Sequence, residues 1–565
     1  MDSTPKVKHP NGLYVLFTTE MWERFNFYGM RAILALFIAQ ALKYGDEDSS
    51  IIYGGFLGLC YLIPMLGGYM ADRFLGNRNC ILLGGSTMAI GQVLLFFSAT
   101  LYGTNLELAR IILWTALFIL IFGNGFFKPN ISSMVGSLYP KGDNRLDSAF
   151  TIFYLGINIG ALLGNFVCSL VGDVKVNDLR DFTAFKWGFL AAAVAMVIGT
   201  LVFYFLKNKY IVTPEGQPIG TKPTFTNAPH HELAESEKAH FTQKSLITTV
   251  FMMVILTFGF HFLSYNPEAL KHNPIKEWLY PFIYSAGLSL AFLIISDKTI
   301  TKIEKERILV LYIVSFFVIF FWACFEQAGS SLTFIADQQT DCHIFGWDMP
   351  PSQVQNFNAI FIILFAFPFS WLWIWLAKKD MDPISPVKQA IGLLLMALGY
   401  YILATQVKGL EHTAKIGIIW LIVMYLFHTL GELCLSPIGL SLVSKLSPKR
   451  FSSLLMGVWF LANAAGYALT GTLGALLPPT GPKYLDAQKA GIDLKAILDK
   501  TVTPTAEQLT LLKDLNIRAD YPVFAGFTIH NLYEFVFMFV ILPAGAGILL
   551  LMLTPRLKKM MHGVK

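Results

Sequence analysis

Residues 187–206 read Trp187-Gly-Phe-Leu-Ala-Ala-Ala-Val-Ala-Met-Val-Ile-Gly-Thr-Leu-Val-Phe-Tyr-Phe-Leu206, without a single charge. A helix of about 20 apolar residues crosses the ~30 Å hydrocarbon core of a bilayer. Predominantly apolar runs recur elsewhere, as at Ile111–Phe122 and Leu532–Leu553. None alternates with the period of two that a membrane barrel needs. Lipid offers no partner to a free N–H or C=O, so such runs span as helices. The whole chain agrees. Of its 565 residues 55% are hydrophobic and 14% charged, against about 25% charged in soluble domains.

Working outward along the chain, fourteen spans are expected. The first six fall at about 13–42, 51–71, 80–100, 108–138, 146–171 and 186–206. Two follow at about 245–264 and 278–297. The last six fall at about 307–335, 353–376, 386–407, 416–444, 452–477 and 527–553. The longest polar separators are 207–244 and 478–526. In the latter, Thr505-Ala-Glu-Gln508 reads as a capping box, so a surface loop with one short helix is expected there. With the N-terminus inside, the inner segments hold 26 Lys and Arg and the outer segments 15, or 9 without 478–526. The positive-inside rule then puts both termini in the cytoplasm and 478–526 outside.

Composition also excludes some functions. The basic residues sit in short loops and form no aromatic-interleaved face, so no nucleic acid is expected. Cys60, Cys80, Cys168, Cys324, Cys342 and Cys434 show no CxxC and no metal spacing. No cleaved signal peptide is read, because residues 1–12 are polar. No GxSxG, HExxH, metal cluster or nucleotide loop points to an enzyme. A channel would call for a repeated pore ring, which discrete charges on many helices do not supply.

The informative residues are charges where apolar ones belong. The first span carries Glu20, Glu23, Arg24 and Arg31. Each costs about 2.5–3.5 kcal/mol at the middle of a bilayer. At about 100° per residue all four share an arc of roughly 100°, flanked by Phe27 and Tyr28. They are expected to face a polar cavity, with Ile33, Leu36 and Phe37 on an opposite, lipid-facing side. Lys128 lies beside Pro129 in the fourth span, and Asn158 stands between Gly156 and Gly160 in the fifth. Trp322 and Glu326 are four residues apart on one helical face. Asn358 opens the next span. His428, Glu432 and Ser436 form a stripe at i, i+4 and i+8. Acids and bases on opposite walls suit a zwitterionic solute, and carboxylates near movable cations suit proton coupling.

These residues fall in recognisable runs. Glu20-Met-Trp-Glu23-Arg24-Phe25-Asn26-Phe27-Tyr28-Gly29 resembles the ExxERFxYYG signature of the proton-dependent oligopeptide transporters. Gly68-Tyr-Met-Ala-Asp72-Arg73-Phe-Leu-Gly76-Asn-Arg78 resembles the loop motif of the major facilitator superfamily. Gly125-Phe-Phe-Lys128-Pro129-Asn130, Phe321-Trp322-Ala-Cys-Phe-Glu326-Gln327-Ala-Gly329-Ser330 and Gly431-Glu432-Leu-Cys-Leu-Ser436-Pro437 resemble further motifs of that family. The resemblance covers about residues 13–553, and the five motifs come in order on the right spans.

The resemblance implies an all-α membrane protein of the major facilitator fold. Two six-helix bundles, at 13–206 and 307–553, would be joined by 207–306 with two additional helices, as in bacterial members. It implies a symporter that imports di- and tripeptides with protons across the cell inner membrane, working by alternating access. It also implies a monomer in the lipid bilayer, driven by the proton gradient with no cofactor and no metal. By resemblance, Glu20, Glu23, Arg24, Lys128 and Glu326 take part in proton coupling. Arg31 and Lys128 face the peptide carboxylate, and Asn158, Asn358 and Glu432 its amine. Tyr28, Tyr61, Trp322, Ser436 and Trp459 line the pocket. Arg31 with Glu326, and Lys128 with Glu432, form gate salt bridges. Two departures stand out: Phe27 replaces the first Tyr of the signature, and Gly54 stands where animal members carry a proton-linked His. The alternative within transporters is another small solute, such as nitrate or an amino-acid derivative.

Overall fold

The computed structural model describes residues 8–140, 143, 145–176, 179–213, 216–222, 241–265 and 272–564. Of the expected linker 207–306, residues 214–215, 223–240 and 266–271 lie outside the described residues. The helices in chain order are α1 Asn11–Leu36, α2 Gly45–Leu62, α3 Pro64–Met70, α4 Asn77–Leu101, α5 Leu106–Ser137, α6 Leu146–Gly172 and α7 Phe185–Tyr210. They continue with α8 Gln243–Ser264, α9 Tyr280–Ile295, α10 Lys302–Phe325, α11 Ser331–Gln338, α12 Asn356–Lys378, α13 Ser385–Val407, α14 Ile419–Leu446 and α15 Ser452–Gly474. Then come α16 Gly481–Lys489, α17 Leu494–Leu498, α18 Ala506–Asp514 and α19 Leu532–Met560. Strands among the described residues are two-residue pairs, such as Thr340–Asp341 parallel to Ile416–Gly417.

Thirteen helical stretches among the described residues are long and apolar enough to cross a membrane. α1 is not among them, because Glu20, Glu23, Arg24 and Arg31 interrupt its apolar run. With α1 they make the fourteen expected spans. Packing divides the chain into two compact units: Met1–Phe37 with Leu59–His230, and Ile38–Gly58 with His231–Lys565.

In the first unit α1 packs against both α6 and α7. Glycines make this possible. An added Cβ at Gly160 or Gly164 of α6 would strike the backbone of Met21 or Phe25. Gly156, Gly160 and Gly164 recur every four residues, a small-residue stripe of the kind that lets membrane helices touch backbone to backbone. This overturns one expectation. Ile33, Leu36 and Phe37 do not face lipid; all three are fully buried. Phe37 meets the rings of Phe185 and Phe189 of α7 edge-on, and Ile33 lies against Gly172 and Gly188. The apolar side of α1 is a helix-packing face. The loop-motif residue Arg78 is buried too, with Nε donating to the Ile219 carbonyl at 2.5 Å and a terminal nitrogen to Asn208 Oδ1 at 3.0 Å.

In the second unit, residues 478–526 are more than a loop with one helix. The capping box at Thr505 and Gln508 forms and starts α18, but α16 and α17 precede it. Ala487, Ile492, Leu494, Ile497, Leu498, Leu512 and Ile517 close a small core of their own. The single-helix reading failed because α16 and α17 are short and polar on their outer faces. The segment is tied to 43–47 in the same unit. Asn516 Nδ2 donates to the Lys43 carbonyl at 3.2 Å, and Arg518 pairs with Glu47.

Truncating a buried leucine costs about 2–5 kcal/mol, which this small core has little means to absorb. Leu512→Ala is expected to raise protease cleavage within 478–526 while the detergent-solubilised protein stays monodisperse. Unchanged cleavage would show that the segment is held by something other than its core.

Candidate functional site

α1 builds the centre of the first unit's site. Arg24 Nε lies 2.9 Å from Glu20 and 2.5 Å from Glu23, with all three side chains almost fully buried. The i, i+4 spacing of Glu20 and Arg24 puts them on one face. Asn124 Nδ2 of α5 reaches toward Glu23 Oε1 at 3.5 Å. One turn on from Asn124, the Lys128 ammonium sits 3.7 Å from the centre of the Tyr61 ring. Arg31 is buried and stacks over the Tyr28 ring at 4.8 Å, and Arg24 lies 5.7 Å from the Phe27 ring. Arg suits such sites because its flat guanidinium can stack and hydrogen bond at once. Asn158 is buried in α6, with its amide donating to the Tyr154 carbonyl at 2.9 Å. Glu20, Glu23, Arg24, Tyr28, Arg31, Tyr61, Lys128 and Asn158 thus fall in one unit. Two carboxylates share one guanidinium, so a single proton would make that triad neutral.

The second unit holds Trp322, Glu326, Asn358, Glu432, Ser436 and Trp459. α10 ends at Phe325, and Glu326 opens a short 3-10 turn, Glu326–Gly329, ahead of α11. A broken helix inside a membrane must have its freed backbone groups satisfied by the protein. Gln327 meets part of that need: its amide donates to the Ala323 carbonyl at 3.0 Å and the Thr470 carbonyl at 3.1 Å. Ser331 Oγ in turn donates to Gln327 Oε1 at 2.6 Å. Glu326 itself is buried at this break. Trp322 packs edge-on to Phe325 and Tyr467 and is admitted by Gly466. Trp459 lies against Gly439 of α14, where no Cβ would fit.

The carboxylate of Glu432 is held differently from the sequence reading. Asn358 Nδ2 donates to Glu432 Oε2 at 2.9 Å and to Thr429 Oγ1 at 3.1 Å. The Thr429 hydroxyl in turn donates to the Tyr425 carbonyl at 2.8 Å. Ser436 Oγ and His428 Nε2 have no hydrogen-bond partner among the described residues. His428 is instead a packing residue, buried with its ring 4.5 Å from that of Tyr400 and close to Gly399. The i, i+4, i+8 stripe therefore does not act as one polar network. Asn124, Thr429 and Gln327 were missed. Asn124 stands one turn before Lys128 and could have been found from that spacing; Gln327 follows Glu326 in a quoted motif but was given no role, and Thr429 carried no such signal.

Gly54 is explained by packing. A Cβ there would lie 2.7 Å from the backbone of Gly471 and from the Tyr467 carbonyl. No imidazole fits at this place. Gly54→His is expected to lower the yield of monodisperse protein and its thermal midpoint, since overpacking costs about 1–3 kcal/mol or more. A variant as stable as the wild type would mean that α2 and α15 separate easily.

Comparison with known proteins agrees with this architecture. The chain is 33% identical over 478 residues to "Uncharacterized transporter YclF" of Bacillus subtilis (strain 168), covering 83% of this chain and 88% of the relative. It is 31% identical to "Peptide transporter YePEPT" of Yersinia enterocolitica, over 82% of this chain and 88% of the relative. It is 32% identical to "Di-/tripeptide transporter" of Lactococcus lactis subsp. cremoris, over 81% and 88%. A solved peptide transporter POT in complex with alafosfalin superposes with a TM-score of 0.71 at 27% identity, covering 99% of this chain and 98% of that one. The model of the POT family, PTR2, matches residues 78–479. The chain therefore belongs to the POT family of membrane transporters, and its fold is the major facilitator fold of that family.

Proposed function

We propose that this protein imports di- and tripeptides together with protons, by alternating access, across the cell inner membrane. The observation that carries the reading is the buried Glu20–Arg24–Glu23 triad on α1, met by Asn124 of α5 one turn before Lys128. Buried charge of this kind is too costly to keep for packing where small residues would serve. Glu20, Glu23, Arg24 and Lys128 are the proton-handling group, joined by Glu326 at the break after α10. Relatives named as di-/tripeptide transporters support peptide as the solute over nitrate.

On this reading Arg31 and Lys128 take the peptide carboxylate, and Glu432, Asn358 and Asn158 take its amine. Tyr28, Tyr61, Trp322, Ser436 and Trp459 form the walls. Arg31 with Glu326 and Lys128 with Glu432 are the gate pairs. Each would break as the other forms, so that the solute meets one side at a time. The bundles are 13–206 and 307–553, and a single chain does the work. The excess of Lys and Arg on one side supports both termini in the cytoplasm.

Reconstituted protein is expected to accumulate labelled di-Ala under an inward proton gradient and to ignore nitrate. Nitrate uptake without di-Ala uptake would overturn the reading. Glu23→Gln is expected to abolish proton-driven uptake while keeping counterflow, which needs no net proton movement. Equal loss of both in a folded variant would make Glu23 structural. Glu432 is half-buried, and Glu432→Gln removes a charge-assisted contact worth about 1.5–3 kcal/mol, or roughly 10- to 150-fold in affinity. It should discriminate less between free and N-acetylated di-Ala in competition with labelled di-Ala. An unchanged preference for the free amine would confine Glu432 to the gate.

A further inference from the structure

The pair α8 and α9 leaves an apolar groove of about 530 Å³ inside the second unit. α9 packs on α15 but scarcely touches α10, and the gap between α9 and α10 is the groove. α15 lines it from Val458 to Thr472, a rise of about 21 Å at 1.5 Å per residue. That is deeper than one leaflet of a bilayer whose core is about 30 Å thick. Its lining is nearly all aliphatic and aromatic, with Gly287 and Ala465 widening it.

Lys276 stands at one end, in the turn before α9, beside Ser264. It is the one charged residue of the lining, and it makes no ion pair among the described residues. The Ser264 and Tyr280 hydroxyls near that end are already engaged, donating to the His261 and Ile51 carbonyls at 3.0 and 2.8 Å. α8 is hardly buried in the protein, at 6% of its most apolar window, which leaves its surface open to lipid. An apolar groove of this size does not hold water stably.

We propose that this groove binds one phospholipid with an anionic headgroup, its acyl chain between α9 and α10 and its phosphate at Lys276. A lysine ammonium binds a phosphate as a point charge. The lipid comes from the leaflet on the side of the α8–α9 turn. It fills the space that α9 leaves beside α10, and so joins the added hairpin to the transporting helices. The site is independent of the peptide-binding reading.

The test uses the full chain in liposomes with phosphatidylglycerol or phosphatidylcholine carrying a photoactivatable acyl chain. Wild type is expected to crosslink at peptides of α9, α10 and α15, with phosphatidylglycerol preferred about five-fold, as one lysine near a headgroup gives. A Cβ at Gly287 would meet only the Leu461 side chain, at 3.7 Å. Gly287→Ala therefore keeps the groove open and is expected to label like wild type. Gly287→Phe fills the groove and should lose those crosslinks while remaining monodisperse. Lys276→Gln should equalise the two lipids. Undiminished labelling of Gly287→Phe, or labelling spread evenly over the outer face of α8, would mean annular lipid only and overturn the proposal. A preference that survives Lys276→Gln would overturn the headgroup assignment.

Discussion

Arg24, held between Glu20 and Glu23 inside the first unit, is the interaction on which the rest depends. A charge in a membrane protein needs both a partner and shelter from lipid. The partners come from α1 itself. The shelter comes from α6, which can close on α1 because Gly156, Gly160 and Gly164 carry no side chains to hold it off, and from α7, where Gly188 and Gly199 lie against Ile33 and Trp22. α5 then supplies Asn124 and Lys128. Packing and chemistry are one problem here: the glycine stripe that buries α1 is what allows its charges to persist.

The second unit meets the same constraint in another way. Glu326 lies at a helix break, and one bond to Glu432 comes from an amide on another helix. Gln327 repairs the backbone where α10 breaks at Glu326, and Asn358 of α12 fixes Glu432 of α14. The triad of the first unit gathers its charges on one helix, whereas the bond from Asn358 to Glu432 joins two.

Much of this was legible in the sequence because charged residues are costly in lipid and therefore conspicuous. Glu20, Glu23, Arg24, Lys128, Glu326 and Glu432 stand out against apolar runs, and thirteen of the fourteen spans follow from length and hydropathy. What failed was whatever depends on a neighbouring helix. Ile33, Leu36 and Phe37 are as apolar as any lipid-facing residues, and only α6 and α7 reveal that they are buried. The His428–Glu432–Ser436 spacing is right for one network, yet His428 turns to Tyr400 and Asn358 reaches Glu432 from another helix. Gly54 is a position without a side chain, and its meaning lies wholly in Gly471 and Tyr467 opposite. The small core within 478–526 rests on residues thirty apart, such as Ala487 and Ile517, which no local pattern joins.

The central claim is that the Glu20–Arg24–Glu23 triad changes protonation as peptide is carried. Infrared difference spectroscopy on reconstituted protein, with and without di-Ala and across pH, reads carboxyl protonation directly. The account predicts a peptide-dependent carboxyl signal in wild type that Glu23→Gln removes or displaces while di-Ala binding persists. An identical signal in both proteins, or none in a wild type that transports, would contradict it.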